Sequence, residues 1–320
     1  MILAIKHRVR ETREPWTDPN HTHTKPPRDS RPVYLGEFDL PRGYLTPCPC
    51  CSPNNYKFGA GKIAWFPDEH VLRLIGPQCF RTLNPDLHDA AVAQWEKEKK
   101  ETQARDYLLE RRDLVEGWLL VAGELLVMAR AADRFFPALS GMFDNRAGVP
   151  LYPAIRDGFL HVWEEQPEFV TNEKGETYTK MVTKLVIHNA VSGEQALKPN
   201  RKQLEVALSQ ARTALSQAGA FSAEYIKAAS AEDKTRIAKM MQTALKAIKQ
   251  CHDLLEIDCR FLRVENLQNI RGWASRPNAR LQFELGFGDG RITVTKDEQS
   301  HSIIIPEALR VRVPPSFEIP

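Results

Sequence analysis

Cys48-Pro49-Cys50-Cys51, completed by Gly76-Pro77-Gln78-Cys79, is the stretch that decides how the N-terminal part of this chain folds. Four of the six cysteines fall within these 32 residues. A structural zinc site takes four ligands in a tetrahedron, mostly thiolates, often from Cys-x-x-Cys turns. Cys48 and Cys51 have that spacing, and Pro49 stiffens the turn between them. Cys79 follows a Gly-Pro bend that lets a thiolate point back at a metal. The fourth ligand is open between two residues. Cys50 is the nearer and would close an all-thiolate site, although adjacent cysteines rarely both reach one ion well. His70 is the rival, since neutral imidazole is an ordinary zinc ligand. The competing reading is that the thiols are small buried hydrophobes. A run bounded by Pro47 and Pro53 does not look like core packing, so the metal reading is preferred.

Between the two cysteine groups lie Lys62-Ile63-Ala64-Trp65-Phe66 and Val71-Leu72-Arg73-Leu74-Ile75. They flank Pro67-Asp68, ordinary turn residues, so the two runs are expected to pair as antiparallel strands. A Cys-x-x-Cys turn, a hairpin, then a Gly-x-x-Cys turn leading toward a helix resembles the small zinc-ribbon and treble-clef modules. The resemblance covers residues 48–90, about an eighth of the chain. It departs from the family pattern in having no second Cys or His close to Cys79. The resemblance implies a metal and not a function, because such modules bind nucleic acid, bind protein or merely hold a fold together.

N-terminal to the module, residues 1–47 read as a Pro-rich polar arm. His21-Thr22-His23 could ligate a metal, but two solvated histidines on a mobile segment are the preferred reading. Val33–Leu40 is expected to be a strand leading into the module. C-terminal to it, Asn84-Pro85 has the form of a helix start, an N-cap followed by proline at the first helical position. Residues 91–200 are expected to be helical and then mixed. Gln94–Arg112 carries charges of both signs at short spacing, the pattern of a solvated helix face. Leu114–Ala132 is apolar nearly all round and is expected to be buried, with Gly117 and Gly123 marking a close crossing or a break. Phe169-Val170 and Thr179–Ile187 are expected to form a hairpin around Asn172–Gly175.

Residues 201–272 read as a helical pair. Leu204, Leu208, Ala211, Leu215 and Ala218 form one heptad seam, and Ile237, Met241, Ala244, Ile248, Cys251 and Leu255 another. Gly219 marks the break between them. Cys251 and Cys259 are read as core thiols. Residues 273–320 turn to β structure, with Gly288-Asp289-Gly290 as a hairpin turn and Ser302–Ile305 as a third strand.

The fold class expected is therefore α+β: a zinc-bearing β-module, long helices with a coiled-coil-like pair, and a small C-terminal antiparallel sheet. No stretch approaches the roughly 18 apolar residues of a membrane span. That and the short N-terminal apolar run lead to the expectation of a cytoplasmic protein, where thiols stay reduced and favour metal over disulfide.

Catalytic signatures are missing. Phe287-Gly288-Asp289-Gly290 joins two strands and not a strand to a helix, as a phosphate loop would need. His161-Val162-Trp163-Glu164-Glu165 lacks the second histidine of a zincin motif. The net charge of +3 excludes nothing, but its distribution is informative. Residues 198–280 hold 15 basic against 8 acidic residues. A basic helical region beside a zinc module is compatible with DNA or RNA binding, with Lys202, Arg212, Lys239, Lys246 and Lys249 as the phosphate-facing candidates. The bland alternative is a solvated face. The function expected is that of a zinc-stabilised binding protein. Its alternatives are a protein-interaction or homo-oligomeric scaffold working through the helices, and an enzyme without a recognisable motif.

Overall fold

A computed structural model describes Ile5, Arg8, Val9 and residues 14–83, 88–175 and 177–315 of the chain. The expected helix start at Asn84-Pro85 lies outside the described residues. The fold is α+β and divides into two compact units: Met1–Tyr107 with Ala229–Thr235, and Leu108–Ala228 with Arg236–Pro320.

The first unit is built on a three-stranded antiparallel sheet. Its strands are β1 (Val33–Asp39), β4 (Ala60–Phe66) and β5 (Val71–Ile75), in the order β1-β4-β5. Between β1 and β4 run β2 (Thr46–Cys48) and β3 (Ser52–Phe58), a separate antiparallel pair. Helix α1 (Pro77–Leu83) follows β5, and α2 (His88–Arg111) follows α1. The expected hairpin is present, with Phe66 opposite Val71 and Lys62 opposite Ile75. Both faces of the sheet are covered, which is why β5 reads as an almost unbroken apolar run. Leu35, Ile63, Trp65, Leu72 and Leu74 pack on one side with Ile5 and Val9. Tyr34, Ala64, Phe66 and Ile75 pack on the other with Cys48 and Phe80.

The exception in β5 is Arg73, which is wholly buried. Its guanidinium stacks over the Phe66 ring at 4.4 Å and donates two 2.8 Å hydrogen bonds to Glu69. It also donates to the Thr24 carbonyl and hydroxyl at 2.7 and 2.9 Å. A buried guanidinium needs all of these partners. The consequence reaches the N-terminal arm. Leu72 and the arm exchange backbone hydrogen bonds, Thr22 N–H to Leu72 O and Leu72 N–H to Asn20 O. The arm is thus docked along β5 over residues 20–24, which corrects the expectation of a mobile segment there; His21 is half-buried, and His23 is exposed. Burial, first, holds the His21 pKa down at about 4.

The second unit is mainly helical. A 3-10 turn at Arg112–Leu114 leads into α3 (Val115–Gly141), which continues as a π-turn at Met142–Arg146 and is followed by the short α4 (Leu151–Ile155). Strands β6 (Phe159–Thr171) and β7 (Thr177–Ala190) form a long two-stranded ribbon. Then come α5 (Leu204–Gly219), α6 (Ala223–Ala228), α7 (Ala231–Phe261) and α8 (Val264–Ala274). β8 (Glu284–Gly288), β9 (Arg291–Lys296) and β10 (Gln299–Ile304) make the small C-terminal antiparallel sheet. Asp289-Gly290 is a two-residue loop with φ of 47° and 68°, the positive pair that a tight hairpin demands.

Both heptad seams are buried, and α5 packs along α3. Gly219 ends α5 where a Cβ would lie 2.5 Å from a Val115 methyl carbon, so only glycine allows the approach. Gly117 and Gly123 mark neither a crossing nor a break. α3 runs through both, and a Cβ at either would meet nothing within 4 Å. Nor is α3 buried all round. Leu120 and Val127 face out while Trp118, Ala122, Leu125 and Ala129 face in. No described helix is long and apolar enough to cross a membrane.

Candidate metal centre

The cysteine cluster is assembled from three elements. Cys48 ends β2 opposite Ser52 of β3, so Pro49, Cys50 and Cys51 form the tight turn between the two strands. Cys79 is the third residue of α1. Strand β5 delivers Gly76 to the same place, and its N–H donates to the Cys48 sulfur at 3.4 Å. The sulfurs of Cys48, Cys51 and Cys79 all lie within 4.8 Å of one another. Thiolates on one zinc sit roughly 3.8 Å apart when each Zn–S bond is about 2.3 Å. The triangle is thus close to ligation size, and the donor set fits a soft or borderline ion. Burial runs in sequence across it: Cys48 is buried, Cys79 half-buried and Cys51 exposed.

The electrostatics favour ionisation at one corner. The Cys50 thiol donates to Cys48, and backbone N–H groups of Gly76, Cys51 and Cys50 add to this, so the Cys48 pKa falls to about 4. The same hydrogen bond, with burial behind it, pushes Cys50 up. Burial and the neighbouring thiols push Cys79 up to about 12. With Cys48 pushed toward its thiolate and Cys50 and Cys79 toward their thiols, the site favours negative charge at one corner. A cation is the species that would relieve it.

Cys50 stands beside the triangle, bonded to Cys48, but outside the 4.8 Å group. His70 is not brought to the thiols. It is exposed, closes the β4–β5 loop with φ 55°, and lies against Trp65. All of β5 separates it from Gly76, a span of roughly 16 Å for five extended residues.

The basic candidates are in the second unit. Lys202, Arg212, Lys239, Lys246 and Lys249 are exposed. Lys234, which the seam pattern also placed outward, is instead buried in the first unit and paired with Glu101 at 2.7 Å. Between α5 and α7 runs a shallow cleft of about 480 Å³, floored by Ala207, Ala214 and Ala247 and flanked by Arg236 and Lys239.

One cluster carried no signal in the sequence. Arg201 stacks on Phe136 at 4.9 Å, bonds Asp258 at 2.5 Å and lies 3.9 Å from Asp133. Asp133 in turn accepts the Glu205 N–H at 2.8 Å and so caps α5, whose own N-cap residue makes no side-chain bond. Arg201, Phe136, Asp133 and Glu205 border a cavity of about 570 Å³ reached also by Ser140, Asp144 and Lys202. Arg201 and Asp258 are 57 residues apart in the chain, and no local spacing links them.

Compared with known protein families, with curated proteins and with solved structures, the chain matches none.

Proposed function

We propose that this is a binding protein whose first unit is held together by a structural zinc ion on Cys48, Cys51 and Cys79, with Cys50 as the fourth ligand. The observation that carries the reading is the thiol triangle, which a β-turn and a helix bring together. The order of turn, hairpin and ligand-bearing helix is what a treble-clef-like module has, and supports that assignment. The metal would tie β2, β3 and α1 to the core side of the sheet, where Cys48 already packs with Phe66 and Phe80. It supplies folding free energy and no step of chemistry. Metal analysis of the purified chain should give about one zinc per molecule. No metal, with all four clustered thiols titrating freely in the native state, overturns it. With zinc bound, Cys50→Ser is expected to weaken zinc binding and His70→Ala to leave it unchanged.

The partner best supported is nucleic acid, met through the outer face of α7. Residues 234–252 contain five basic and no acidic residues, and four of the five are exposed. Lys239 and Lys246 are seven apart and share one helix face, with Lys249 beside them, Lys202 just before α5 and Arg212 within it. Such a face supplies sequence-independent attraction to phosphates. Retention of a mixed DNA and RNA pool at low salt, lost at high salt, is the test. No retention at low salt overturns the assignment.

A further inference from the structure

The β6–β7 ribbon is long, and one of its faces carries large apolar side chains that are exposed beyond its base. Its base is anchored. Leu160 and Val162 are fully buried, the Trp163 N–H donates to Asn278 O at 2.8 Å, and Trp273 Nε1–H donates to His161 O at 2.7 Å. Beyond that point every described residue from 163 to 187 is exposed or half-buried. Two strands alone in water are marginally stable at best, so a ribbon of this length calls for cover.

The register shows which surface calls for it. Trp163 pairs with Leu185, Pro167 with Met181, and Phe169 with Thr179. His161 pairs with Ile187 in the same row, and strand alternation puts all of them on one face. Phe169 is 78 % exposed, Ile187 59 % and Met181 55 %. The opposite face sets paired charges among Val170, Val182 and Val186, each half-buried, and Tyr178. There Glu164 pairs with Lys184 and Glu168 with Lys180, and Lys184 reaches Glu168 at 3.1 Å. The edges are blunted as well, since Pro167 has no N–H to offer and the charged residues flank both strands. Face and not edge is therefore where a neighbour docks.

We propose that the neighbour is the same face of a second copy of this chain. Residues 163–187 hold five glutamates against three lysines, which disfavours a phosphate backbone. At their exposures, the six apolar side chains Phe159, Trp163, Phe169, Met181, Leu185 and Ile187 present roughly 600 Å². Two such faces hide roughly 1,200 Å² together, the lower end of a specific interface. The pattern is also self-complementary. A two-fold axis along the ribbon sets β6 over β7 of the second copy. Trp163 then meets Leu185, Pro167 meets Met181, and His161 meets Ile187. Glu165, the one carboxylate on this face, meets Thr183 and not another glutamate. Stacking β6 on β6 about that rung would instead oppose two glutamates. An apolar sheet face repeated at the same spacing is what packs about 10 Å away from another.

Sedimentation of the full chain from about 1 to about 100 µM tests this, at low and at high salt. A reversible dimer that persists in high salt is expected. Phe169→Asp and Met181→Lys should each weaken it by roughly 30-fold or more, with unchanged circular dichroism. Phe169→Ser, a milder change on the same face, should weaken it in the same direction. Tyr178→Asp, on the opposite face, should leave it as it is. A chain that stays monomeric at the highest concentration overturns the proposal. So does a dimer indifferent to the Phe169 and Met181 changes, or one weakened as much by Tyr178→Asp, since its interface would then lie on the helices or the other ribbon face.

Discussion

Each of the two units buries one arginine against a phenylalanine ring, and the two arginines do it at opposite cost. Arg73 in the first unit faces Glu69, whose side chain stays partly exposed. The hydrogen bonds from Arg73 hold the Glu69 carboxyl below its ordinary range. Arg201 in the second unit faces Asp258, which is itself buried. Burial outweighs the arginine there, and the Asp258 pKa rises to about 6. An identical pairing of charges gives opposite shifts because one carboxylate keeps its water and the other loses it. The first unit therefore relies on groups held deprotonated: an ionised Glu69, a neutral His21, a thiolate at Cys48. The second relies on apolar seams and tolerates its buried charge.

The largest expected difference follows from the proposed metal. Zinc binding to a thiolate site in a small module contributes on the order of 10 kcal/mol of folding free energy at neutral pH. Chelation, or Cys48→Ser, should abolish amide protection in β2 to β5 and α1. Protection in α3, α5 and α8 should survive, since their seams owe nothing to the cysteines. Hydrogen exchange read segment by segment checks this. Equal loss in both units would erase the distinction.

Next in size are the arginines themselves. Arg73→Ala strips Glu69 and the Thr24 carbonyl of their donor and leaves a cavity over Phe66, and should cost about 3–5 kcal/mol. Trypsin should then cut the freed arm after Arg28, since Lys25 and Arg31 both precede proline. Arg201→Met should cost less, about 1–2 kcal/mol, because Asp258 can take up its proton near neutrality and become uncharged. Denaturant titrations of the two variants rank them, and the reverse order would refute the account of which carboxylate is compensated.

How much of this was open to reading from the chain depends on distance along it. The β4–β5 hairpin was legible because Pro67-Asp68 and two alternating runs sit within fifteen residues. The helical seams were legible for the same reason, as period and burial agree from Leu204 to Leu255. The docked arm was not, because Arg73 and Thr24 are 49 residues apart and neither carries a local signal. The ribbon was read short. The part missed is Phe159–Glu168 of β6, where His, Glu, Gln and Pro among isolated apolar residues locally resemble loop. In the metal centre, three thiols could be placed from spacing and turn chemistry, and they converge. The position of His70 could not, since a hairpin loop and a helix start look equally near a cysteine until the strand between them is given a length.

pH separates the units further. A folded pKa raised from 3.8 to about 6 means that native Asp258 holds its proton where the unfolded chain has released it. Stability from this group is therefore greatest below pH 4 and is lost as pH rises through 6, about 3 kcal/mol in all. His21 has the opposite sign. Its folded pKa is depressed from 6.5 to about 4, so the unfolded chain binds more protons in that window and stability is lost as pH falls through it. Glu69, also depressed, adds a loss further into acid. Between pH 6.5 and 4 the first unit should weaken while the second strengthens. Asp258→Asn should flatten the second unit's rise and leave the first unit's fall in place, as followed by hydrogen exchange at pH 7 and pH 4.5.

The smallest effect on stability, and the sharpest on function, is expected at the basic face of α7. Lys239, Lys246 and Lys249 are exposed and lie opposite the buried seam of Ile237, Met241, Ala244 and Ile248. Reversing all three to Glu touches no core contact, so unfolding free energy should move by less than about 1 kcal/mol. Binding should move far more if these charges meet phosphates. Each neutralised phosphate contributes a slope of about 0.9 log units of affinity per log unit of salt. Losing three should cut the slope by about 2.7 and weaken every sequence alike, because phosphate contacts position without specifying. The helix carries no acidic residue from 234 to 252, so no intramolecular pairing on this stretch is lost when the signs are reversed. An unchanged slope with the fold intact would mean that the face is merely solvated. The difference between the units would then be one of stability alone, and the second unit's contribution would have to be sought on its ribbon.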